Sequence, residues 1–346
     1  MTTYENLTRP ANTHTVQRFT DPTTWATFGA QWHSGEQKTL QCCAERPETH
    51  DVKNFIFRCA DFSALSFEPG QFITISPVIG GQTLARCYTL SSSPTRPFAF
   101  SITVKRVPGG AVSNWLHDNL KPGDSLQACG PAGSFTAVGH PARKLLYLSA
   151  GSGVTPLMSM TRAACDMAGN LDIVFLHSAR TPTDIIFHGE LTRMQADMQG
   201  LRVISVCEGL GDTAQWQQPI GRLDLSLLSQ HVPDYQEREI FICGPLGYME
   251  AIKSLLREQD VFTVTLSRSG KTFSMPGNQT VLSAAKKADA NVPSSCSQGV
   301  FGTCKTALLQ GTVEMNHNGG IRQREIGKGL RLLCCSKPTS VLVLDL

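Results

Sequence analysis

The sequence predicts three folded domains in a row: an antiparallel β-barrel, a doubly wound parallel α/β sheet, and a smaller α+β domain of the β-grasp type. Three observations support this prediction. Short alternating apolar runs fill residues 38–140, single strands and helices alternate over residues 141–260, and strands return over residues 263–346 around a group of cysteines. Short alternating runs are typical of antiparallel barrels, and strand–helix alternation is typical of parallel sheets.

The length, charge and composition of the chain limit the classes of function that it can have. Its 346 residues suffice for two or three domains, and a net charge of +3 without any Lys/Arg-rich run favours neither nucleic acid nor an anionic membrane as a partner. Residues 1–37 are polar and predict an extension. Since no apolar run has the length of a membrane span or a signal peptide, we expect a cytoplasmic location. There the 12 cysteines are expected to be metal ligands, catalytic thiols or core residues.

The predicted barrel contains two motifs that together suit a flavin nucleotide. In the first, Arg86, Tyr88 and Thr89 stand on one strand and are followed by Ser92. Alternation puts Arg86 and Tyr88 on one face, where a guanidinium suits a phosphate and an aromatic ring suits the isoalloxazine. Alone, such a pair is more often an ordinary exposed pair on a strand.

The second motif opens a helix expected over residues 112–120. Gly110 and Ser113 offer exposed amides, a hydroxyl group and no bulky side chain, which together make an anion site at a helix N-terminus. The alternative is an ordinary serine N-cap. Gly110 lies 24 residues after Arg86, and this order and spacing favour one pyrophosphate site formed by both motifs.

In the predicted parallel sheet, a buried strand over residues 144–149 runs directly into a glycine-containing turn and a helix. The turn and the start of the helix contain Gly151, Gly153, Thr155 and Pro156. Glycines at this place let the pyrophosphate of a dinucleotide approach the helix N-terminus. The strand before and the helix after this motif make it more specific than a lone Gly-x-Gly.

Two further places in the same sheet are expected to face the dinucleotide. Cys243, Gly244 and Pro245 end the fourth strand, at the sheet edge where ligands bind in such folds, and a thiol there can lie against a nicotinamide. The alternative is a buried cysteine before a turn. Ser178 and Arg180 follow the second strand, where an acidic residue would favour NAD and where serine and arginine could grip a 2′-phosphate. The alternative is that Arg180 is a solvated loop residue.

The third domain contains cysteines at the spacing of a plant-type [2Fe–2S] loop. Cys296 and Cys304 are followed, after 29 residues, by Cys334 and Cys335. Such a cluster needs four thiolates to complete two tetrahedral irons. Phe301 stands where the second thiolate is expected.

In this order, the motifs resemble those of the ferredoxin–NADP reductase superfamily with an appended C-terminal [2Fe–2S] ferredoxin domain. Three stretches, 101–123, 177–191 and 311–321, are most similar to the reductase component of glycine-betaine-type Rieske monooxygenases. The resemblance covers residues 38–346. It implies an FAD-binding barrel over 38–140, an NAD(P)-binding domain over 141–260 and a ferredoxin domain over 263–346.

The resemblance also assigns roles to particular residues. It implies a flavin site made of Arg86, Tyr88, Thr89, Ser92, Lys105 through its backbone, Gly110 and Ser113. It implies a nicotinamide dinucleotide site made of Gly151, Gly153, Thr155, Pro156, Ser178, Arg180, Gly244 and Pro245, with Cys243 at the catalytic position. It implies Cys296, Cys304 and Cys334 as cluster ligands, Cys334 rather than Cys335 because it lies four residues before Pro338.

The implied activity is that of an NAD(P)H oxidoreductase. Electrons would pass from NADH, or alternatively NADPH, through FAD and a [2Fe–2S] cluster to a Rieske-type oxygenase that demethylates a betaine-like amine. One rival is a reductase of the hybrid-cluster protein. Another is a cluster-deficient remnant that binds flavin without electron output.

Two departures from the family pattern motivate that last rival. The final strand and linker that follow helix 247–257 in the family are missing here, and Phe301 replaces a ligand. We expect the ferredoxin fold to form but to hold its cluster weakly. Ser295, Ser297, Cys335 or water remain as substitutes, with strand alternation expected to point Cys335 away.

Overall fold

A computed structural model describes Trp32, residues 34–213 and residues 215–346 of the chain. The described residues divide into two compact units, the first ending at Met249 and the second covering residues 250–346. Most of the predicted extension, 1–37, lies outside the described residues. Trp32 is fully buried and forms a parallel bridge with Leu65.

The first unit begins with an antiparallel barrel, as the alternating runs predict. Its elements are β1 (Gln37–Thr49), β2 (Val52–Cys59), β3 (Phe72–Ile75), β4 (Val78–Ile79), β5 (Gln82–Thr83), β6 (Arg86–Thr89), β7 (Phe100–Lys105), α1 (Ala111–Asn119) and β8 (Ser125–Ala132). The main sheet has the order β6-β3-β8-β1-β2-β7, and a bridge between Leu90 and Ile102 brings its two outer strands together. Alternate residues fill the interior, where Phe55, Phe57 and Ile73 have no exposed surface.

A parallel sheet follows in the same unit. Its elements are β9 (Lys144–Ala150), α2 (Val154–Asp166), β10 (Asp172–Ala179), α3 (His188–Asp197), β11 (Leu201–Cys207), α4 (Leu225–His231), β12 (Glu239–Cys243) and α5 (Leu246–Glu258). The strands lie in the order β11-β10-β9-β12, all parallel. Three neighbouring strands contribute Tyr147, Phe175 and Phe241, and the Tyr147 ring meets each of the other two edge-on at 5.8 Å between centroids.

Helix α2 fastens the barrel to the parallel sheet. The Ser159 hydroxyl donates to the carbonyl oxygen of Ser92 at 2.7 Å, and the Arg162 guanidinium donates to the carbonyl oxygen of Ser91. The remaining guanidinium nitrogens of Arg162 hold Glu190 in a two-point ion pair. The segment that follows β6 is therefore bonded to the helix that follows β9.

The second unit is an α+β domain of the β-grasp type. Its remaining elements are β13 (Val261–Leu266), β14 (Thr272–Pro276), α6 (Val281–Lys287), β15 (Lys305–Gln310), β16 (Val313–Met315), α7 (Gln323–Gly327), β17 (Leu330–Leu332), β18 (Ser336–Pro338) and β19 (Leu342–Leu344). The main sheet has the order β14-β13-β19-β15-β17, with β13 and β19 parallel. Helix α6 packs on it through Val281 and Ala285, both fully buried.

The sequence predicts these elements well, and the differences have local causes. The helix expected over 186–198 begins at His188 because Phe187 has left-handed backbone dihedrals (φ 62°), which a helix cannot include. The strand after α5 pairs with β14 and β19, so no fifth strand joins the parallel sheet in the part of the chain that is described. No described helix has both the length and the apolar character needed to cross a bilayer.

Candidate functional site

The first candidate site lies on β6, where Arg86 and Tyr88 face the same way. Arg86 is exposed, and its guanidinium donates only to the neighbouring carbonyl oxygen of Ala85, at 2.7 Å; no ion pair within the described residues includes it. Tyr88 is half-buried against the barrel core, which raises the pKa of its hydroxyl. Thr89, also half-buried, ends the strand opposite Phe72. An unpaired cation beside an aromatic ring suits a phosphate-bearing ring system.

The start of α1 supplies the second part of this site. Gly110 is the N-cap and forms no side-chain cap, so the serine N-cap alternative is wrong. Ser113 lies inside the helix, where its oxygen accepts from the amide of Val107 at 3.2 Å. Amides at the helix start therefore lack a side-chain acceptor, which is the property an anion site needs.

Two other residues expected at the flavin have partners within the protein. The ammonium group of Lys105 lies 3.2 Å from a carboxylate oxygen of Asp51, which leaves only its backbone for a ligand, the role expected from sequence. The Ser92 hydroxyl accepts from the amide of Ser101 at 3.0 Å and is buried. Ser92 thus contributes to the link between barrel and sheet, and its contact with flavin stays a prediction.

The glycine turn after β9 is shaped by close backbone contact. Residues Gly151–Gly153 form one 3₁₀ turn, and α2 starts directly after it. A methyl group on Gly153 would lie 2.3 Å from the carbonyl oxygen of Cys243, so only glycine fits there. Thr155 donates to the carbonyl oxygen of Ser152 at 3.0 Å, and Pro156 is buried in the first helical turn. The turn after β9 and the end of β12 therefore form one surface at the sheet edge.

Two buried hydroxyl groups at this edge have no hydrogen-bond partner other than each other. They belong to Ser178, which pairs with Ala150 across the sheet, and to Tyr248, on α5. The two lie near each other, and burial strongly raises the pKa of Tyr248. A hydroxyl group both donates and accepts, so this pair keeps hydrogen-bonding capacity that suits a ligand at the edge. Tyr248 was not predicted; its place on the helix after Cys243-Gly244-Pro245 was the available signal.

The other residues at this edge lie where the sequence predicts. Cys243 is half-buried, which raises the pKa of its thiol, and it pairs with Ser149 across the sheet. Gly244 packs so closely that a methyl group there would lie 2.8 Å from the Tyr248 ring; Pro245, next to it, is exposed. Arg180 is exposed but not free, because its guanidinium lies 3.7 Å from Asp51 and 3.5 Å from Asp184.

In the second unit, the cysteine loop adopts an ordered shape. The Cys296 sulfur accepts from the amide of Val300 at 3.5 Å, and backbone N–H groups of Gln298, Phe301 and Val300 lower the pKa of its thiol to about 7. Cys304 and Cys334 are buried, and their side chains contact each other. Two of the three expected ligands, Cys304 and Cys334, are thus in contact, and the sulfur of the third, Cys296, accepts hydrogen bonds from backbone N–H groups.

Two further positions decide how complete this site is. Phe301 is 73% exposed, and an aromatic ring offers iron no donor. Cys335 was expected to point away, and that is wrong: its thiol contacts that of Cys334 and interacts electrostatically with Cys304 and Cys296. The cause is the turn Leu332–Cys335, closed by a hydrogen bond of 3.1 Å from the Cys335 amide to the Leu332 carbonyl oxygen, which breaks strand alternation.

Three family models match the chain in this order. They describe an oxidoreductase FAD-binding domain over residues 41–137, an oxidoreductase NAD-binding domain over 147–254 and a 2Fe-2S iron-sulfur cluster binding domain over 264–339. The fold and the sites define an NAD(P)H oxidoreductase of the electron-transfer type, whose cofactors are FAD, NADH and an iron–sulfur cluster.

Similar proteins that match over nearly their full length show more closely which class of oxidoreductase this chain belongs to. The chain is 39% identical to the glycine betaine monooxygenase reductase subunit of Pseudomonas aeruginosa, over 94% of this chain and 99% of that one. It is 36% identical to the stachydrine N-demethylase reductase subunit Stc4 of Rhizobium meliloti, over 89% and 95%. Among solved structures, phthalate dioxygenase reductase is 26% identical with a TM-score of 0.51, over 90% and 98%. The chain belongs to the phthalate dioxygenase reductase-like family.

The residues at the candidate sites suit two of the three cofactors, FAD and the nicotinamide dinucleotide. An unpaired Arg86 and an uncapped helix start suit the pyrophosphate of FAD, and the buried hydroxyls of Ser178 and Tyr248, which pair only with each other, suit a dinucleotide at the sheet edge. For the cluster, three expected ligand positions fit and the fourth, Phe301, does not.

Proposed function

We propose that the chain is the reductase component of a Rieske-type monooxygenase that demethylates a betaine-like quaternary amine. The observation that carries this proposal is similarity along the whole chain: the glycine betaine monooxygenase reductase subunit of Chromohalobacter salexigens is 40% identical over 95% of this chain and all of that one. The proposal extends to a cytoplasmic location, which accords with all 12 cysteines being free.

The chain's own residues would position the cofactors and exclude water between them. Arg86 and the amides at the start of α1 would bind the FAD pyrophosphate, with Tyr88 against the flavin ring. The turn at Gly153 would receive the dinucleotide pyrophosphate, and Cys243 would lie beside the nicotinamide. When bound, FAD accepts a hydride from NADH and releases its electrons singly to an iron–sulfur acceptor. No acid–base residue is needed.

NADH is the expected reductant because Arg180, the residue that could bind the 2′-phosphate of NADPH, is already paired with acidic side chains. Its guanidinium lies near two carboxylates, Asp51 and Asp184, which would repel a 2′-phosphate placed beside it. We expect a higher kcat/KM for NADH than for NADPH in ferricyanide reduction. A kcat/KM more than ~10-fold higher with NADPH would contradict this expectation.

Reconstitution tests the proposed partner. The purified chain, NADH and the oxygenase component of a glycine betaine monooxygenase are mixed with glycine betaine, and formaldehyde release is measured. We expect demethylation that depends on the chain. The rival function is that of a reductase of the hybrid-cluster protein. One relative favours it: NADH oxidoreductase HCR of Escherichia coli is 30% identical over 86% of this chain. Reduction of hybrid-cluster protein without demethylation would favour that rival, and flavin reduction with neither output would favour the cluster-deficient remnant.

A further inference from the structure

The loop that should hold the cluster is folded as a ligand loop although it lacks one ligand. The carbonyl oxygen of Gly299 accepts from the amides of Asn318 and Gly320, at 3.1 and 2.8 Å, which fixes the middle of the loop. Gly302 approaches the Gly320 carbonyl so closely that a methyl group there would lie 2.7 Å from its oxygen. The loop shape therefore depends on its glycines and backbone bonds and does not depend on residue 301.

Serine hydroxyls are poor replacements for the missing thiolate here. The Ser295 hydroxyl is paired with that of Thr303 at 2.7 Å, and Ser297 is exposed with left-handed backbone dihedrals (φ 54°). An alkoxide is also a harder ligand than a thiolate, and iron–sulfur clusters are held by soft thiolate sulfur. A fourth thiol in reach is the better donor.

Cys335 provides such a thiol. It lies under the loop, where a methyl group added to Gly299 would be 3.1 Å from its sulfur. The same thiol contacts that of Cys334, which in turn contacts that of Cys304, and the loop above Cys335 is the one that carries Cys296. It is half-buried, and the Leu332 carbonyl oxygen at 3.5 Å is its hydrogen-bond acceptor in the protein.

We propose that Cys335 is the fourth ligand of the [2Fe–2S] cluster, so that Cys296, Cys304, Cys334 and Cys335 hold the two irons. Cys334 and Cys335 can both be iron ligands although they are adjacent, because the turn Leu332–Cys335 directs both side chains toward the same loop. Phe301 is thereby released to the surface, in keeping with its 73% exposure. The inference rests on the third domain being a cluster domain and is independent of which oxygenase is the partner.

The test compares cluster content in the full-length protein purified without added iron. Iron, acid-labile sulfide, visible circular dichroism and the EPR signal of the reduced protein are measured for the wild type, Cys335→Ala and the control Cys43→Ala, an exposed thiol on β1. We expect about two irons per chain in the wild type and the control, and near zero in Cys335→Ala. FAD content should be equal in all three, which shows that the protein is folded.

A second variant separates ligation from a structural role. Phe301→Cys restores the missing family ligand, so Phe301→Cys/Cys335→Ala should regain about two irons per chain. If the double variant stays empty, Cys335 acts through the fold and the proposal is wrong. It is equally wrong if Cys335→Ala keeps a full cluster, or if the wild type carries none.

Discussion

At the scale of single residues, the candidate nucleotide sites contain polar groups with few partners in the protein. Arg86 has a guanidinium without an acid, and the buried hydroxyls of Ser178 and Tyr248 have no partner other than each other. By contrast, Arg58 bonds Gln41 and lies 4.1 Å over the Phe62 ring, which makes it a structural arginine of the same barrel. A guanidinium without an acid is free to bind an anion, and a buried hydroxyl pair with remaining hydrogen-bonding capacity can bind a polar ligand.

Arg86→Ala should lose most FAD because it removes the cation of the expected pyrophosphate site. A hydrogen bond to a charged group contributes about 1.5–3 kcal/mol, so FAD should bind about 10- to 150-fold more weakly. Flavin absorbance after gel filtration measures the loss, and Arg58→Ala is the matched control that should keep its flavin. Stoichiometric FAD in Arg86→Ala would rule out this role.

His177 makes the stability of the first unit depend on pH. It is fully buried, its Nδ1 meets the Ser149 hydroxyl at 2.8 Å, and burial lowers its pKa from 6.5 to about 4. Below pH ~6.5 the unfolded chain binds a proton here that the folded chain refuses until about pH 4. Stability is therefore complete above pH ~6.5 and falls toward pH 4, by at most about 1.4 kcal/mol per pH unit.

The measurement is the urea midpoint at pH 5 and pH 7. His177→Asn keeps a polar atom for Ser149 and should reduce the difference between the two midpoints. His231→Gln, at the end of α4, should leave that difference as it is in the wild type. An unchanged difference in His177→Asn would assign the acid sensitivity to other groups.

At the scale of elements, the sequence predicts what local patterns control and misses what tertiary turns decide. Alternation and glycine position predicted the barrel strands and the four-stranded parallel sheet. Alternation failed at Cys335, because a turn rather than a strand orients that thiol. It also gave no information about Tyr248, whose relation to Ser178 depends on how α5 packs against the sheet edge. The one local signal for Tyr248 was its place on the helix that follows Cys243-Gly244-Pro245.

Gly153→Ala should disturb the dinucleotide site and leave the flavin site intact. The added methyl group would lie 2.3 Å from the Cys243 carbonyl oxygen and 2.5 Å from the Gly244 Cα, both backbone atoms that move only together with β12. Such overpacking costs about 1–3 kcal/mol of stability. We expect a KM for NADH raised about 10-fold or more with full FAD content. Gly189→Ala, where a methyl group meets open space, is the control; an unchanged KM in Gly153→Ala would contradict the site.

At the scale of the whole molecule, catalysis requires that the two candidate nucleotide sites of the first unit keep a fixed relation. The barrel presents Arg86 and Tyr88, the sheet presents Gly153 and Cys243, and helix α2 joins the two. Its Arg162 bonds the barrel through Ser91 and is itself held by Glu190 and by the Phe187 ring, 4.7 Å from its guanidinium carbon. The position of the candidate flavin site relative to the candidate dinucleotide site thus depends on a few polar contacts made by helix α2.

Arg162→Met should therefore slow hydride transfer without emptying either site. The substitution leaves an apolar side chain beside Phe187 but removes the cation over that ring and the hydrogen bonds to Ser91 and Glu190, so barrel and sheet can shift. A misplacement of about 1 Å between reacting groups can cost on the order of 100-fold in rate. The measurement is the rate of flavin bleaching by NADH in stopped flow, alongside FAD content and KM.

The control for Arg162→Met is Arg238→Met. Arg238 is as well bonded, to Asp172 and Asp234, and its side chain is only 5% exposed, but its partners lie at the opposite end of the parallel strands. Both variants should lose stability, because Arg162→Met leaves Glu190 without its cation and Arg238→Met does the same to Asp172, while Asp234 keeps Lys144. Only Arg162→Met should slow flavin reduction at saturating NADH. Equal slowing in both would mean that loss of stability, rather than loss of the joint between barrel and sheet, limits the rate.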